Sequence, residues 1–423
     1  MLSGVRLFGL PLFAFQGNNM TATQTRPFPT PVKGNAGEVF AVFLKLGLTS
    51  FGGPVAHLGY FRDELVTRRQ WLKDADYADL VALCQFLPGP ASSQVGFALG
   101  LMRAGWAGAF AAFAGFTFPS VFILFAFALG ATAVSGPIGS GALHGLKIVA
   151  VAIVAQAVWG MACTLCPDRT RATIATGAIG ILALFSGAAG MVAAILFGAI
   201  AGRLFCHSTA RYAPAPRLPV SRTAAMFCLF LAVGLLALLP ILAPLSPSLS
   251  VFDSFYRAGA LVFGGGHVVL PLLEAEVVQS GRVSADAFLA GYGAAQAVPG
   301  PLFTFAAYLG AVLGGEPNGI TGAALAQTAL FLPGFLLLTG VLPFWQSLRN
   351  TTSVQSLMQG ANAAVVGILG AALYSPVFTS AIHGMPDLAL AVGCFVLLMV
   401  WKTPPWAVVM LAAFGGVLLN LAG

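Results

Sequence analysis

Apolar runs separated by short stretches of glycine, proline or charge fill the chain from residue 38 onward. Many approach the ~20 residues that a helix needs to cross hydrocarbon, and none alternates like a barrel strand. The pattern predicts about thirteen membrane-spanning helices, over 38–60, 77–101, 106–134, 142–164, 171–187, 189–206, 222–243, 254–274, 286–313, 320–345, 358–378, 386–401 and 405–422. The pairs at 171–206 and 386–422 must each fit two short spans around a Gly-rich or Lys-Thr-Pro-Pro turn, so either could be one bent hairpin. The expected fold class is an all-α polytopic membrane protein.

Composition agrees. Asp, Glu, Lys and Arg make up 8% of the 423 residues and hydrophobic residues 58%, against roughly 25% charged in a soluble domain. The formal charge of +7 raises the question of nucleic acid, but the basic residues are scattered among loops with no aromatic-interleaved patch, so no nucleic-acid partner is expected. Their distribution reports topology instead. A cytoplasmic N-terminus puts Arg6, Arg26, Lys33, Arg103, Arg169, Arg171, Arg203, Arg211, Arg217, Arg222, Arg282, Arg349 and Lys402 on the cytoplasmic face. Arg62, Arg68, Arg69 and Lys73 stay on the other, in a loop shared with Asp63, Glu64, Asp74 and Asp76. The C-terminus then lies opposite the N-terminus. Residues 1–37 read as a flexible tail without a cleavable signal, and Met20 is an alternative start. Cys163 and Cys166 form a lone C-x-x-C without a second Cys or His pair, which favours helix packing over metal.

A phrase recurs about half a chain apart. Lys45 precedes Phe51-Gly52-Gly53-Pro54, followed by Gln85-x-x-Pro88-Gly89-Pro90; Arg257 precedes Phe263-Gly264-Gly265-Gly266, followed by Gln296-x-x-Pro299-Gly300-Pro301. Phe51 maps onto Phe263 at an offset of 212, Pro88 onto Pro299 at 211, Pro119 onto Pro333 at 214, and Gly145 onto Gly360 at 215. So small a drift implies duplication. The units are a first repeat at 38–206, a basic Pro-rich linker with one connecting helix at 207–253, and a second repeat at 254–422. Six crossings plus one extra helix reverse the second unit, so the repeats are expected to be inverted, as in many secondary transporters.

Pro-Gly-Pro removes two backbone donors, so the helices should break at Pro88 and Pro299 and restart after Pro90 and Pro301 with free N–H groups. Ser92, Ser93 and Thr304 could add hydroxyl donors. The Phe-Gly-Gly segments permit unwinding and close backbone approach, and successive N–H groups there could cradle an anion; packing or kinking is the alternative. Lys45 and Arg257 occupy equivalent positions six residues before the phenylalanines. A cation inside a span costs roughly 2.5–3.5 kcal/mol, so it is normally paired, snorkelled or functional. Lys147 aligns with neutral Asn362 and is a weaker candidate. His57 and His267 do not align with each other; either could donate to an anion, carry protons or be a hydrogen-bonded structural histidine. Glu274 and Glu276 read as a solvated helix end. No His-Glu-x-x-His, nucleophile elbow or phosphate-binding loop is present, so no enzyme, metal or cofactor is expected.

The Phe-Gly-Gly-Pro-x-x-His of 51–57, the Gln-x-x-Pro-Gly-Pro of 85–90 and their recurrence resemble the chromate ion transporter family in its long, two-domain form. The second copy departs from the pattern, with Gly266 for Pro54 and Val269 for His57. The resemblance implies a secondary transporter that exports chromate across the bacterial cytoplasmic membrane and confers resistance, with sulfate as a competing look-alike. A sulfate uptake carrier and an anion channel are the alternatives, and a homodimer is left open. The residues themselves reach only a small anion.

Overall fold

The computed structural model describes residues 34–133, 136–185, 187–206, 220–263, 266–345, 348 and 351–422. The N-terminal tail through residue 33 and the linker at 207–219 lie outside the described residues. All regular structure among the described residues is helical.

The first half opens with α1 (Ala36–Thr49), whose Asn35 cap accepts from the Glu38 N–H at 2.7 Å, a favourable N-terminal arrangement. The chain then breaks: Ser50 is extended and Gly52 adopts φ +97°. It resumes as α2 (Gly53–Phe61) and a π-helical continuation, Arg62–Arg68. Next come α3 (Asp74–Phe86) and α4 (Ala91–Ala133), separated by Pro88-Gly89-Pro90. Helix α4 is itself interrupted at Ala104 and Gly105, which have non-helical backbone angles. It is therefore a short helix leading into a long one, as the boundary between the runs at 77–101 and 106–134 anticipates. Then follow α5 (Pro137–Leu165), α6 (Arg169–Leu184) and α7 (Gly187–Phe205).

After α8 (Arg222–Leu242), the second half repeats the series. It contains α9 (Pro247–Ala260), α10 (Val269–Val277), α11 (Ala285–Ala297), α12 (Phe305–Ala311) and α13 (Gly319–Val341). The last three are α14 (Thr352–Ala372, prolonged by a π-helical stretch), α15 (Met385–Met399) and α16 (Pro405–Ala422). The runs at 38–60 and 254–274 are thus not single rods, and each divides at its Phe-Gly-Gly segment. Both doubtful pairs, 171–206 and 386–422, resolve into two helices each. Among the described residues, six helices, including α4, α5, α8 and α13, are long and apolar enough to cross a membrane. The chain is an α-helical multi-pass membrane protein.

The halves exchange their closing hairpins. Helix α5 packs against α15 and α16, while α14 packs against α6 and α7. Glycine sets both contacts: a methyl group on Gly416 would lie 2.6 Å from Cα of Gly145, and one on Gly202 would lie 2.6 Å from Cα of Gly360. Small residues let helix backbones approach and gain dispersion where lipid supplies no hydrophobic drive. Gly202→Val should lower the thermal unfolding midpoint of the detergent-solubilised protein by several degrees, from an overpacking cost of about 1–3 kcal/mol. Gly234→Ala, on α8, where the added methyl meets no atom within 4 Å, should leave that midpoint unchanged in the same dye-based assay.

Candidate functional site

The four helix breaks meet crosswise. The Gly89 N–H donates to the Val262 carbonyl at 2.8 Å, and the Gly300 N–H donates to the Ser50 carbonyl at 2.9 Å. Each Pro-Gly-Pro turn is therefore tied to the residue immediately before the Phe-Gly-Gly segment of the opposite half. Both glycines have positive φ, +118° at Gly89 and +100° at Gly300, a conformation that any side chain would strain. They also lack room. A methyl on Gly89 would lie 2.9 Å from Cα of Gly334, and one on Gly300 would collide with Oγ of Ser120. Ser120 and Gly334 each follow the proline inside a long helix, Pro119 in α4 and Pro333 in α13.

The Phe-Gly-Gly segments face each other as well. Pro54 rests on Gly266, where an added methyl would lie 2.8 Å from its Cγ, and a methyl on Gly53 would lie 3.8 Å from Nε2 of His267. The structure thus brings together Gly53, Pro54, Gly266 and His267, with Gly89 and Gly300 bonded to the flanking carbonyls. The N–H groups of Gly89 and Gly300 are committed to those carbonyls and do not point into an open anion cradle. Phe51 and Phe263 are half-buried beside their breaks, while Gln85 is exposed and Gln296 half-buried. Gly264 and Gly265 lie outside the described residues.

Side chains distinguish the halves more sharply than the backbone does. Ser50, His57, Ser92, Ser93, Gln94, Thr117 and Ser120 are all buried on the first half's side. His57 places Nδ1 3.4 Å from Oγ of Ser92 and its ring edge-on to Phe116 at 5.4 Å. Gln94 donates to the carbonyls of Pro88 at 3.0 Å and Gly334 at 2.9 Å. The hydroxyls of Ser50, Ser93, Thr117 and Ser120 and the Gln94 carbonyl oxygen have no hydrogen-bond partner. At the equivalent positions the second half carries Val262, Val269, Phe303, Thr304, Phe305, Phe331 and Gly334. A buried hydroxyl without a partner costs about 1–3 kcal/mol, so Ser50 and Ser120 beside the Gly300 turn, with Ser93 and Thr117 on α4, are candidate contacts for a polar guest. His267, in contrast, is satisfied by the Tyr292 hydroxyl at 2.7 Å.

Lys45 and Arg257 are each held by a carboxylate. Lys45 bonds Glu64 at 3.1 Å, and the same carboxylate takes Arg68 at 3.2 Å and Arg69 at 2.8 Å. Burial pushes the Glu64 carboxyl up, but hydrogen bonds from Arg69 and Lys45 outweigh it and hold the group at about 2, so it is ionised at neutral pH. Arg257 bonds Glu276 at 2.8 Å and Asp253 at 3.1 Å. Glu276 is thus no solvated helix end but the equivalent of Glu64 at the same offset of 212. Nor is Glu274 solvated: it is buried and accepts from Gln279 at 3.1 Å. Arg257 also faces a cavity of about 360 Å³, walled by Leu261, Leu272, Glu276 and the α7 residues Ala188, Met191 and Val192. Lys147 pairs with Asp286 at 2.9 Å, joining α5 to α11.

The chromate transporter family model matches the chain twice, over residues 37–203 and 249–417. The chain belongs to the chromate transporter family. The two matches leave out 204–248, the stretch that carries α8. Similar proteins include a chromate transport protein of Pseudomonas aeruginosa, 27% identical over 95% of this chain and 96% of that protein. A probable chromate transport protein of Synechococcus elongatus is 27% identical over 89% of this chain and 93% of its own length, and one named chromate transport protein from Cupriavidus metallidurans is 26% identical over 85% and 87%. No solved structure matches the chain.

Within this family frame the crossing of the breaks is the candidate site; Ser92 and Ser93 were expected there as donors, whereas Ser50, Thr117 and Ser120 are the residues that sequence reasoning missed. The signal was available: at matched positions the copies differ in polarity, as at Thr117 against Phe331 and Ser120 against Gly334. Thr117→Val removes an unpartnered hydroxyl at nearly constant shape, so the apparent midpoint of thermal unfolding without added anion should hold or rise. A fall of several degrees in that midpoint would show that the hydroxyl has a structural partner.

Proposed function

We propose that the protein is a secondary transporter that exports chromate, a tetrahedral dianion, across the bacterial cytoplasmic membrane and so confers resistance. One observation carries the reading: the breaks of two matched halves cross at a point where buried hydroxyls lack partners on one side only. Such hydroxyls can each donate to an oxyanion without a full compensating charge, which suits a guest that has to leave again. His57 and Ser92 extend the same polar wall, and Lys45 and Arg257 stand at the entrances to the two broken pairs.

Reciprocal contacts between equivalent residues support two inverted repeats around one central site, alternately exposed to each face. Direction follows from electrostatics. One charge crossing the membrane potential is worth about 2.3 kcal/mol per 100 mV, so a dianion leaving a negative-inside cell gains about twice that, enough for roughly a thousandfold outward gradient. Import of the same ion requires coupled cations.

The test is chromate and sulfate flux in oriented proteoliposomes under an imposed potential. Expected are saturable chromate movement toward the positive side, a rate lowered about tenfold or more by Thr117→Val combined with Ser120→Ala, and losses in Lys45→Ala and Arg257→Ala. Flux of sulfate alone would make this a sulfate carrier, conductance without saturation would make it a channel, and unchanged flux in all the variants would remove the site assignment.

A further inference from the structure

We propose that Glu64 and Glu276 are built-in counter-anions: they hold Lys45 and Arg257 while no substrate is bound, and the transported oxyanion displaces them. The inference rests on the site reading above and adds the residues that compete with the substrate for its cations.

The first argument is placement. In both halves the cation lies on the helix before the Phe-Gly-Gly break and the carboxylate on the helical segment after it, 19 residues on. Each ion pair therefore ties together the two arms of a broken helix across its hinge. Little else around the pairs is shared. Arg68 and Arg69 beside Glu64 become Ser280 and Gly281 in the second half, and Asp253 beside Arg257 replaces Ala41 of the first. The pair is the common element in two otherwise different settings.

The second argument is the state of Arg257. Its side chain is a third exposed, it lines the cavity of about 360 Å³, and its Nε is buried without a hydrogen-bond partner. An oxyanion reaches this unused but covered donor only when the guanidinium turns toward the cavity, where its planar fork suits bidentate capture. The carboxylates Asp253 and Glu276 both engage the same nitrogen, Nη2.

Charge then sets up a competition. Around Arg257 two carboxylates share one guanidinium, Arg282 bonds the neighbouring Ser250 and Ser254, and the α7 wall of the cavity is apolar. A dianion entering there competes with Glu276 for the guanidinium, and displacement of Glu276 frees the hinge. Around Lys45, three cations share one carboxylate, so a dianion that takes Lys45 leaves Glu64 held by Arg68 and Arg69. Substrate binding and hinge release become one event, coupled through the same cation.

The experiment uses the full chain in nanodiscs and proteoliposomes, with chromate and sulfate as probes, and measures equilibrium binding and KM against kcat. Glu276→Gln and Glu64→Gln keep the side-chain shape and remove the competing charge, so each should tighten chromate binding about tenfold and lower kcat, while Glu276→Asp returns both toward the parent. Folded glutamine variants with unchanged or weaker binding would overturn the proposal. Collapse of both variants on size exclusion would also overturn it, by making the pairs structural braces. Thr117→Val combined with Ser120→Ala separates the two levels: unchanged chromate binding in that variant sinks the site reading itself, whereas lost binding there beside untightened Glu276→Gln sinks only the counter-anion.

Discussion

The reciprocal hydrogen bonds from Gly89 to Val262 and from Gly300 to Ser50 are the constraint on which the rest depends. A broken helix in hydrocarbon leaves N–H and C=O groups with neither water nor a continuing turn to satisfy them, and such breaks survive only where protein supplies partners. Here the partner of each break is the break of the other half. Neither of these two turns is satisfied within its own half, so the halves depend on each other through backbone chemistry. The exchange of closing hairpins, with α5 against α16 and α14 against α7, repeats the same dependence at the periphery.

On that shared backbone the two copies have diverged in polarity. Positions that are Ser50, His57, Thr117 and Ser120 in one half are Val262, Val269, Phe331 and Gly334 in the other. The apolar half contributes shape: Pro54 fits against Gly266, where even a methyl group would intrude. The polar half contributes donors. Recognition of a small tetrahedral anion needs both, because close walls exclude larger ions while hydroxyls replace hydration. The division of labour also explains why the second copy lacks a histidine at the place of His57.

Much of the architecture was legible because proline and glycine act locally. Pro88-Gly89-Pro90 and Phe51-Gly52-Gly53 broke their helices where their chemistry required, and the small drift in offset revealed the duplication. Hydropathy did not show that the run at 38–60 divides at Ser50 to Gly52, since apolar content is blind to a change of chain direction. Nor could it show which carbonyl each glycine would reach, because that partner lies more than 170 residues away in the opposite half. The carboxylates were missed for another reason. Glu64 fell in a stretch read as a charged loop and Glu276 at an apparent helix end, yet the offset of 212 that matched Lys45 to Arg257 also matches these two acids.

Rigidity and polarity are distributed in opposite ways. The outer contacts, Gly202 on Gly360 and Gly416 on Gly145, are glycine-lined and allow little sliding without backbone collision. The centre keeps unpartnered hydroxyls and ion pairs that bridge hinges instead of filling space. Dispersion in close helix packing is insensitive to an added charge, whereas these partly exposed salt bridges respond to one. Under the proposed displacement, the arrival of a dianion moves the half-helices, because those are the elements whose ties are electrostatic.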